Sequence, residues 1–133
     1  MEIEAPVMRT FETEDSTYTI LDRDESPEQV LVRLFDETGN PSAQLRANTV
    51  LRLDDGASYE ARGDVLVVTE DDRRLQTEQL YWYEIERTIR TEGFVTIDTP
   101  SEQIRGYDLV ADENLATYQL NRVTGRASVK DEG

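Results

Sequence analysis

The sequence contains neither cysteine nor histidine. The first absence closes the disulfide-framework and thiolate–zinc readings. The second removes the commonest general base and metal ligand, so a Ser-His-Asp or Cys-His catalytic site is impossible in this chain. Lysine is nearly missing too: of 14 basic residues only Lys130 is a lysine, and the rest are arginines. No run approaches the roughly 18 apolar residues of a membrane-spanning helix, and no basic, apolar, small-residue secretory pattern is visible.

What is present is acid. Aspartate and glutamate number 29 and the formal net charge is -15 at pH 7. That balance excludes a nucleic-acid partner, because a phosphate backbone demands a basic footprint. Many carboxylates with almost no lysine suggest adaptation to high salt, where the Debye length falls to roughly 3 Å and self-repulsion is screened. An acidic protein of ordinary salt is the plainer alternative. At 133 residues the chain has the length of one domain able to bury a core. Only 37% of residues are hydrophobic and 32% are charged, yet β-branched and aromatic residues are spread throughout and argue for folding over disorder.

Helical periodicity is hard to find, whereas period-2 alternation is common. It runs through Val30, Val32 and Leu34, through Tyr59, Ala61, Val65 and Val67, and through Val95 and Ile97. Turn signals separate these runs: Glu37-Thr38-Gly39-Asn40-Pro41, Asp54-Asp55-Gly56, Glu70-Asp71-Asp72 and Thr99-Pro100-Ser101. Short strands between frequent turns predict an all-β sandwich or barrel. Residues 1–28 are less regular, with Tyr18-Thr19-Ile20-Leu21 the one strand-like run, and are expected to be a loosely attached amino-terminal segment before a β domain over 29–133.

An internal repeat organises that domain. Leu45-Arg46-Ala47-Asn48-Thr49-Val50, Leu75-Gln76-Thr77-Glu78-Gln79-Leu80 and Ile104-Arg105-Gly106-Tyr107-Asp108-Leu109 share one pattern and recur at intervals of about 30 residues. In each, a large aliphatic is followed two positions on by a small residue and three further on by another aliphatic. A glycine-led element repeats in phase: Gly63-Asp64-Val65-Leu66-Val67, Gly93-Phe94-Val95-Thr96-Ile97 and Gly125-Arg126-Ala127-Ser128-Val129. Each unit thus carries two strands; after Leu75–Trp82 and a polar turn at Glu84–Arg87, Arg90–Ile97 is expected to be the partner strand. In the aliphatic-led element, positions one and three share a face but position six would point away. A bulge or bend between them returns the later aliphatic to the inside. Stacked bent units would build an elongated, layered β-sandwich whose first and last strands need not be paired.

Three clusters invite chemistry. Tyr81-Trp82-Tyr83 has the aromatic faces for a sugar or ring ligand, but strand alternation with Leu80 inside puts Trp82 in the core and the tyrosines outside. The acids Asp54-Asp55 and Glu70-Asp71-Asp72 would suit calcium or a glycosidase pair. They lack organised ligand spacing, a glycosidase pair is defined by a separation in space, and both clusters fall at expected turns. The inward set Val65, Val67, Leu75, Leu80, Val95, Ile97, Ile104 and Leu109 either fills a closed core or lines a groove for an acyl chain. The residues themselves favour the core.

The order of the motifs adds a resemblance. Val32-Arg33-Leu34-Phe35-Asp36-Glu37-Thr38-Gly39 followed by Leu45-Arg46-Ala47 resembles the opening of LptC-type proteins. Tyr59-Glu60-Ala61-Arg62-Gly63-Asp64-Val65 and Leu75-Gln76-Thr77-Glu78-Gln79-Leu80-Tyr81-Trp82 are similar to their central repeat. Arg90–Ile97 and Ile104–Leu109 continue it, so that the resemblance covers roughly residues 30–129. LptC is the periplasmic component of the lipopolysaccharide-export machinery, related to the LptA/OstA group.

The resemblance implies a β-jellyroll open along one edge and a non-enzymatic function without cofactor or metal. It implies that the acyl chains of lipid A, in lipopolysaccharide, are taken from an inner-membrane ABC transporter and passed on toward the outer membrane. With Val32, Leu34, Leu45 and Trp82, the inward set then becomes a lipid groove. An LptA-like bridge protein would join by edge-strand pairing, expected here along residues 118–129 with Tyr118, Leu120, Val123, Ala127 and Val129. A periplasmic location follows, with a tether to the inner membrane through an amino-terminal helix that these residues do not contain. Arginines such as Arg90 and Arg105 are candidates for meeting the lipid's phosphates. The rival readings are a structural or adhesive β-solenoid that binds no lipid and, more remotely, a carboxylate glycosidase.

Overall fold

The structure, a computed structural model, describes residues 1–12, 17–23, 28–53 and 57–128. The turn acids Asp54 and Asp55 and the edge residue Val129 lie outside the described residues. Among the described residues twelve strands form: β1 (Glu2–Glu4), β2 (Val7–Glu12), β3 (Thr17–Asp22), β4 (Val30–Phe35), β5 (Pro41–Ala47), β6 (Thr49–Arg52), β7 (Ser58–Thr69), β8 (Arg74–Tyr83), β9 (Thr88–Thr91), β10 (Val95–Asp98), β11 (Glu102–Asp112) and β12 (Tyr118–Ser128). Among the described residues there is no helix, and so none long and apolar enough to cross a membrane.

All pairings are antiparallel and belong to one sheet that folds back on itself. Its first half runs β1-β4-β5, then the second part of β7, the first part of β8, β10, the first part of β11 and the end of β12. Its second half runs β2-β3-β6, then the first part of β7, the second part of β8, β9, the second part of β11 and the start of β12. β7, β8, β11 and β12 pass through both halves, and the crease between the halves is where their registers break. On β7 the shift falls between Arg62 and Val65, where Gly63 and Asp64 take left-handed φ of 81° and 47° opposite the single residue Glu78. Asn48 interrupts β5 and β6, residues 92–94 interrupt β9 and β10, and the β11–β12 register shifts at Arg105/Gly106.

The expected change of phase is therefore real and has a backbone cause. Leu75 and Leu80 are both fully buried because the bulge opposite Glu78 inverts the alternation between them. The three repeat glycines sit on or beside the crease. Gly63 needs its left-handed φ, and a Cβ there would stand 2.6 Å from the Asn48 side-chain nitrogen. Asn48 locks the corner: its N–H donates to the Gly63 carbonyl at 2.9 Å, and its Oδ1 accepts from Arg23 at 3.0 Å and Gln29 at 3.2 Å.

Two details differ from the sequence reading. Arg90–Ile97 is not one strand: β9 pairs with the second part of β8 and β10 with the first, so the partner strand breaks at the crease. The first 22 residues carry three strands where one run was visible. β1 and β2 are short edge strands with mostly exposed residues, so no alternation of apolar residues marks them.

Candidate functional site

The inner faces of the two half-sheets meet around one apolar cluster. Val32, Leu34, Leu45, Val65, Val67, Leu75, Leu80, Trp82, Val95, Ile97 and Leu109 all belong to it, and Ile104 is buried outside it. None of the twelve is more than 6% exposed. Val50 and Tyr59, which the repeat and the alternating run had already marked, share this interior, and sequence reasoning missed Leu21, Ile89 and Leu115 there. Exposing each fully buried side chain of this size costs about 1.5–3 kcal/mol, against a total stability of about 5–15 kcal/mol for a domain. In water the halves therefore do not part as a whole.

Trp82 lies inside as its alternation required, stacked on Tyr59 with ring centroids 4.6 Å apart. Tyr81 is exposed and Tyr83 half-buried on the outer face. The indole N–H donates to the buried Glu113 carboxylate at 3.2 Å. Burial foremost, with Glu84 adding to it, raises the Glu113 carboxyl above its ordinary value; the indole bond and Arg87 oppose this.

Opposite the crease the half-sheets end in turns that face each other across a mouth. The β7–β8 turn belongs to the first half and the β11–β12 turn to the second, and Arg73 of the former donates from Nη1 to the carbonyls of Leu115 at 2.7 Å and Ala116 at 3.2 Å. Beside it, the Tyr118 hydroxyl, from the second half, donates to Glu102 Oε1 of the first at 2.7 Å, and Arg126 holds the other Glu102 oxygen at 2.8 Å. Those two donors draw the Glu102 carboxyl below its ordinary value, the tyrosine more than the arginine. A cavity of about 470 Å³ opens on this seam, lined by Arg73, Thr99–Ser101 and Ala116–Tyr118.

Arg90 and Arg105 point outward between buried neighbours, away from this mouth. Asp71 serves its own turn, accepting from Thr69 Oγ1 at 2.5 Å and pairing with Arg73 at 3.2 Å. Among the described residues no cluster of three or more carboxylates is arranged to hold a metal ion.

β12 closes the strand order and, among the described residues, pairs with β11 alone. From Asn121 to Ser128 all residues but Gly125 are exposed, Val123 at 54% and Ala127 among them, while Tyr118 and Leu120 lean on the core. The described end of β12 is thus an open edge whose outer main-chain groups have no strand partner.

No known family's sequence profile matches the chain, and no curated protein resembles it closely in sequence. Its fold does have a solved counterpart. LptH of Pseudomonas aeruginosa, described as the LptA-homologous periplasmic component of the conserved lipopolysaccharide transport device, superposes with a TM-score of 0.68 at 12% identity. The likeness covers 98% of this chain and 94% of LptH, so the two share one all-β jellyroll architecture from end to end.

Proposed function

We propose that this domain is a non-enzymatic lipopolysaccharide-transport module of the periplasm. It holds acyl chains between its half-sheets and passes them along a β bridge from an inner-membrane ABC transporter. The observation that carries the reading is a single apolar interior enclosed by a creased sheet with an open edge, in a fold shared along its length with LptH. The LptC-like order of the motifs over residues 30–129 points the same way. The structural likeness to an LptA homologue supports this reading in its general form, with the LptC role as its finer form. Acyl chains enter the interior while phosphates stay in solvent, which reconciles an anionic lipid with a domain of charge -15. A partner protein adds its strand to β12, main-chain hydrogen bonds supplying the affinity.

Photo-crosslinkers incorporated at Val67, Leu80 and Val95 are expected to capture lipopolysaccharide, whereas Leu66 and Thr96 on the outer face capture little. The same probe at Val123 should capture a protein. Equal lipid capture at inner and outer positions would sink the reading. The closed packing of the interior favours a second one, a structural β-stack that binds no lipid; it predicts no capture at any inner position and self-association through β12.

A further inference from the structure

We propose that the β11–β12 turn, residues 113–117, is a stopper in the mouth between the half-sheets, with Arg73 as its latch. Withdrawing Leu115 would open a local port through which an acyl chain reaches the interior. This rests on the lipid-holding reading above and names the entry point it requires.

Leu115 is fully buried at the tip of a turn whose neighbours Asn114 and Ala116 are exposed. Its φ of 56° lies in the left-handed region, which a leucine rarely occupies. Such a conformation persists only where its surroundings impose it. Within the second half-sheet the turn is held by Leu115 N–H on Asp112 O at 2.9 Å, Thr117 Oγ1 on Asp112 Oδ2 at 2.6 Å, and Glu113 N–H on Arg87 O at 3.0 Å. Across the mouth, its hold is the Arg73 guanidinium on the Leu115 and Ala116 carbonyls. The turn therefore belongs to one half and is pinned by a side chain of the other. Once Arg73 lets go, the left-handed backbone at Leu115 offsets part of the cost of exposing its side chain, and withdrawal becomes easier. The cavity of about 470 Å³ on the seam lies directly outside the latch, with both Arg73 and Ala116 in its wall.

The chain has no native cysteine, so Leu115→Cys introduces its single thiol. Labelling of that thiol by a water-soluble maleimide should be slow, and about tenfold faster in the Arg73→Gln background, the factor expected when a hydrogen bond to a charged donor no longer opposes local opening. A thiol introduced instead by Val50→Cys, buried beside the crease and away from the turn, should label at the same slow rate in both backgrounds. Unchanged labelling at position 115, or equal acceleration at both sites, overturns the proposal. Should Leu115→Cys fail to fold, Trp82 supplies a second readout without any cysteine. It is the sole tryptophan and is bonded to Glu113 of the same turn, so Arg73→Gln alone should raise its quenching by acrylamide.

The lipid arm uses purified lipopolysaccharide and a photo-crosslinker at Val67, where capture should be severalfold faster with Arg73→Gln. Faster thiol labelling with unchanged capture would remove the stopper from the lipid's path and overturn the port. Absence of capture in both proteins would defeat the transport reading, and the labelling rates would still judge the stopper.

Discussion

The crease and the mouth are the two places where the half-sheets meet, and they are built from different materials. At the crease the chain itself is continuous: four strands pass through it, and the bend is written in backbone terms, with Gly63 and Asp64 in left-handed conformations and register shifts on β7 and β11–β12. At the mouth the halves only touch, through side chains that reach across: Arg73 to two carbonyls and Tyr118 to Glu102. A join made of main chain can fail only with the fold. A join made of a few side-chain hydrogen bonds can open while the fold stands, because together they are a small part of the total stability and local openings span the range from near zero up to the global stability. The molecule thus has a stiff side and a side able to open.

The largest expected effect tests the stiff side. Gly106 is buried at the crease, and a Cβ there would lie 2.3 Å from the Arg122 carbonyl oxygen and 3.1 Å from the Val123 Cα. Those are backbone atoms of β12 and cannot swing aside. Gly106→Ala should cost about 3 kcal/mol, the upper end of overpacking, and lower Tm by roughly 10 °C in thermal unfolding. A loss of only a degree or two would mean that the crease yields readily, and the contrast with the mouth would collapse.

A smaller effect is expected at the mouth, with a pH signature. Tyr118 and Arg126 hold the Glu102 carboxyl below its ordinary value. A carboxylate whose folded-state value is depressed stabilises above its unfolded value, and that contribution is lost as pH falls through the folded one. Tyr118→Phe removes the stronger of the two donors. It should lower Tm by roughly 3–5 °C at neutral pH, the effect of one lost hydrogen bond, and by much less once Glu102 is protonated in acid. An equal loss at both pH values would show that the tyrosine is not holding the charged carboxylate.

This division also explains what could be read in the sequence. The crease left a trace because a bend in a strand changes the phase of alternation: Leu75 and Leu80 cannot both be inside without one, and the recurring Gly63, Gly93 and Gly125 mark where it falls. Period-2 runs likewise exposed the inner face, Val32, Leu34, Val65, Val67, Val95 and Ile97 among it. The mouth left none. Arg73 and Leu115 are 42 residues apart, and nothing local distinguishes Arg73 from its neighbour Arg74. Leu115 is one aliphatic in a polar turn and looks like a surface residue until tertiary contact buries it. β1 and β2 were invisible for other reasons: β1 turns a single apolar residue, Ile3, to the core, too short a run to show a period, and β2 is almost wholly exposed.

Two buried carboxylates, one from each region, give the smallest expected effect. Beside the crease, Glu60 is 6% exposed and answered in charge: Arg62 pairs with it at 2.8 Å and Gln79 donates to it as well. At the mouth, Glu113 is 8% exposed and receives a neutral donor, the Trp82 indole. Its carboxyl is raised above the ordinary 4.5, chiefly by burial. Between the unfolded value and the raised one the folded chain binds more protons than the unfolded chain, so stability falls as pH rises through that window. Above it the full cost of burying the charge is present; below 4.5 it is gone. Glu113→Gln keeps an oxygen to accept the indole N–H and removes the charge. It should therefore match or slightly exceed the parent in urea midpoint at neutral pH, with the difference vanishing in acid. Glu60→Gln, which strips Arg62 of its partner, should lower the midpoint at neutral pH. If Glu113→Gln were the more damaging of the two there, the Glu113 charge would be holding the β11–β12 turn in place, and the mouth would be secured by more than the side chains that cross it.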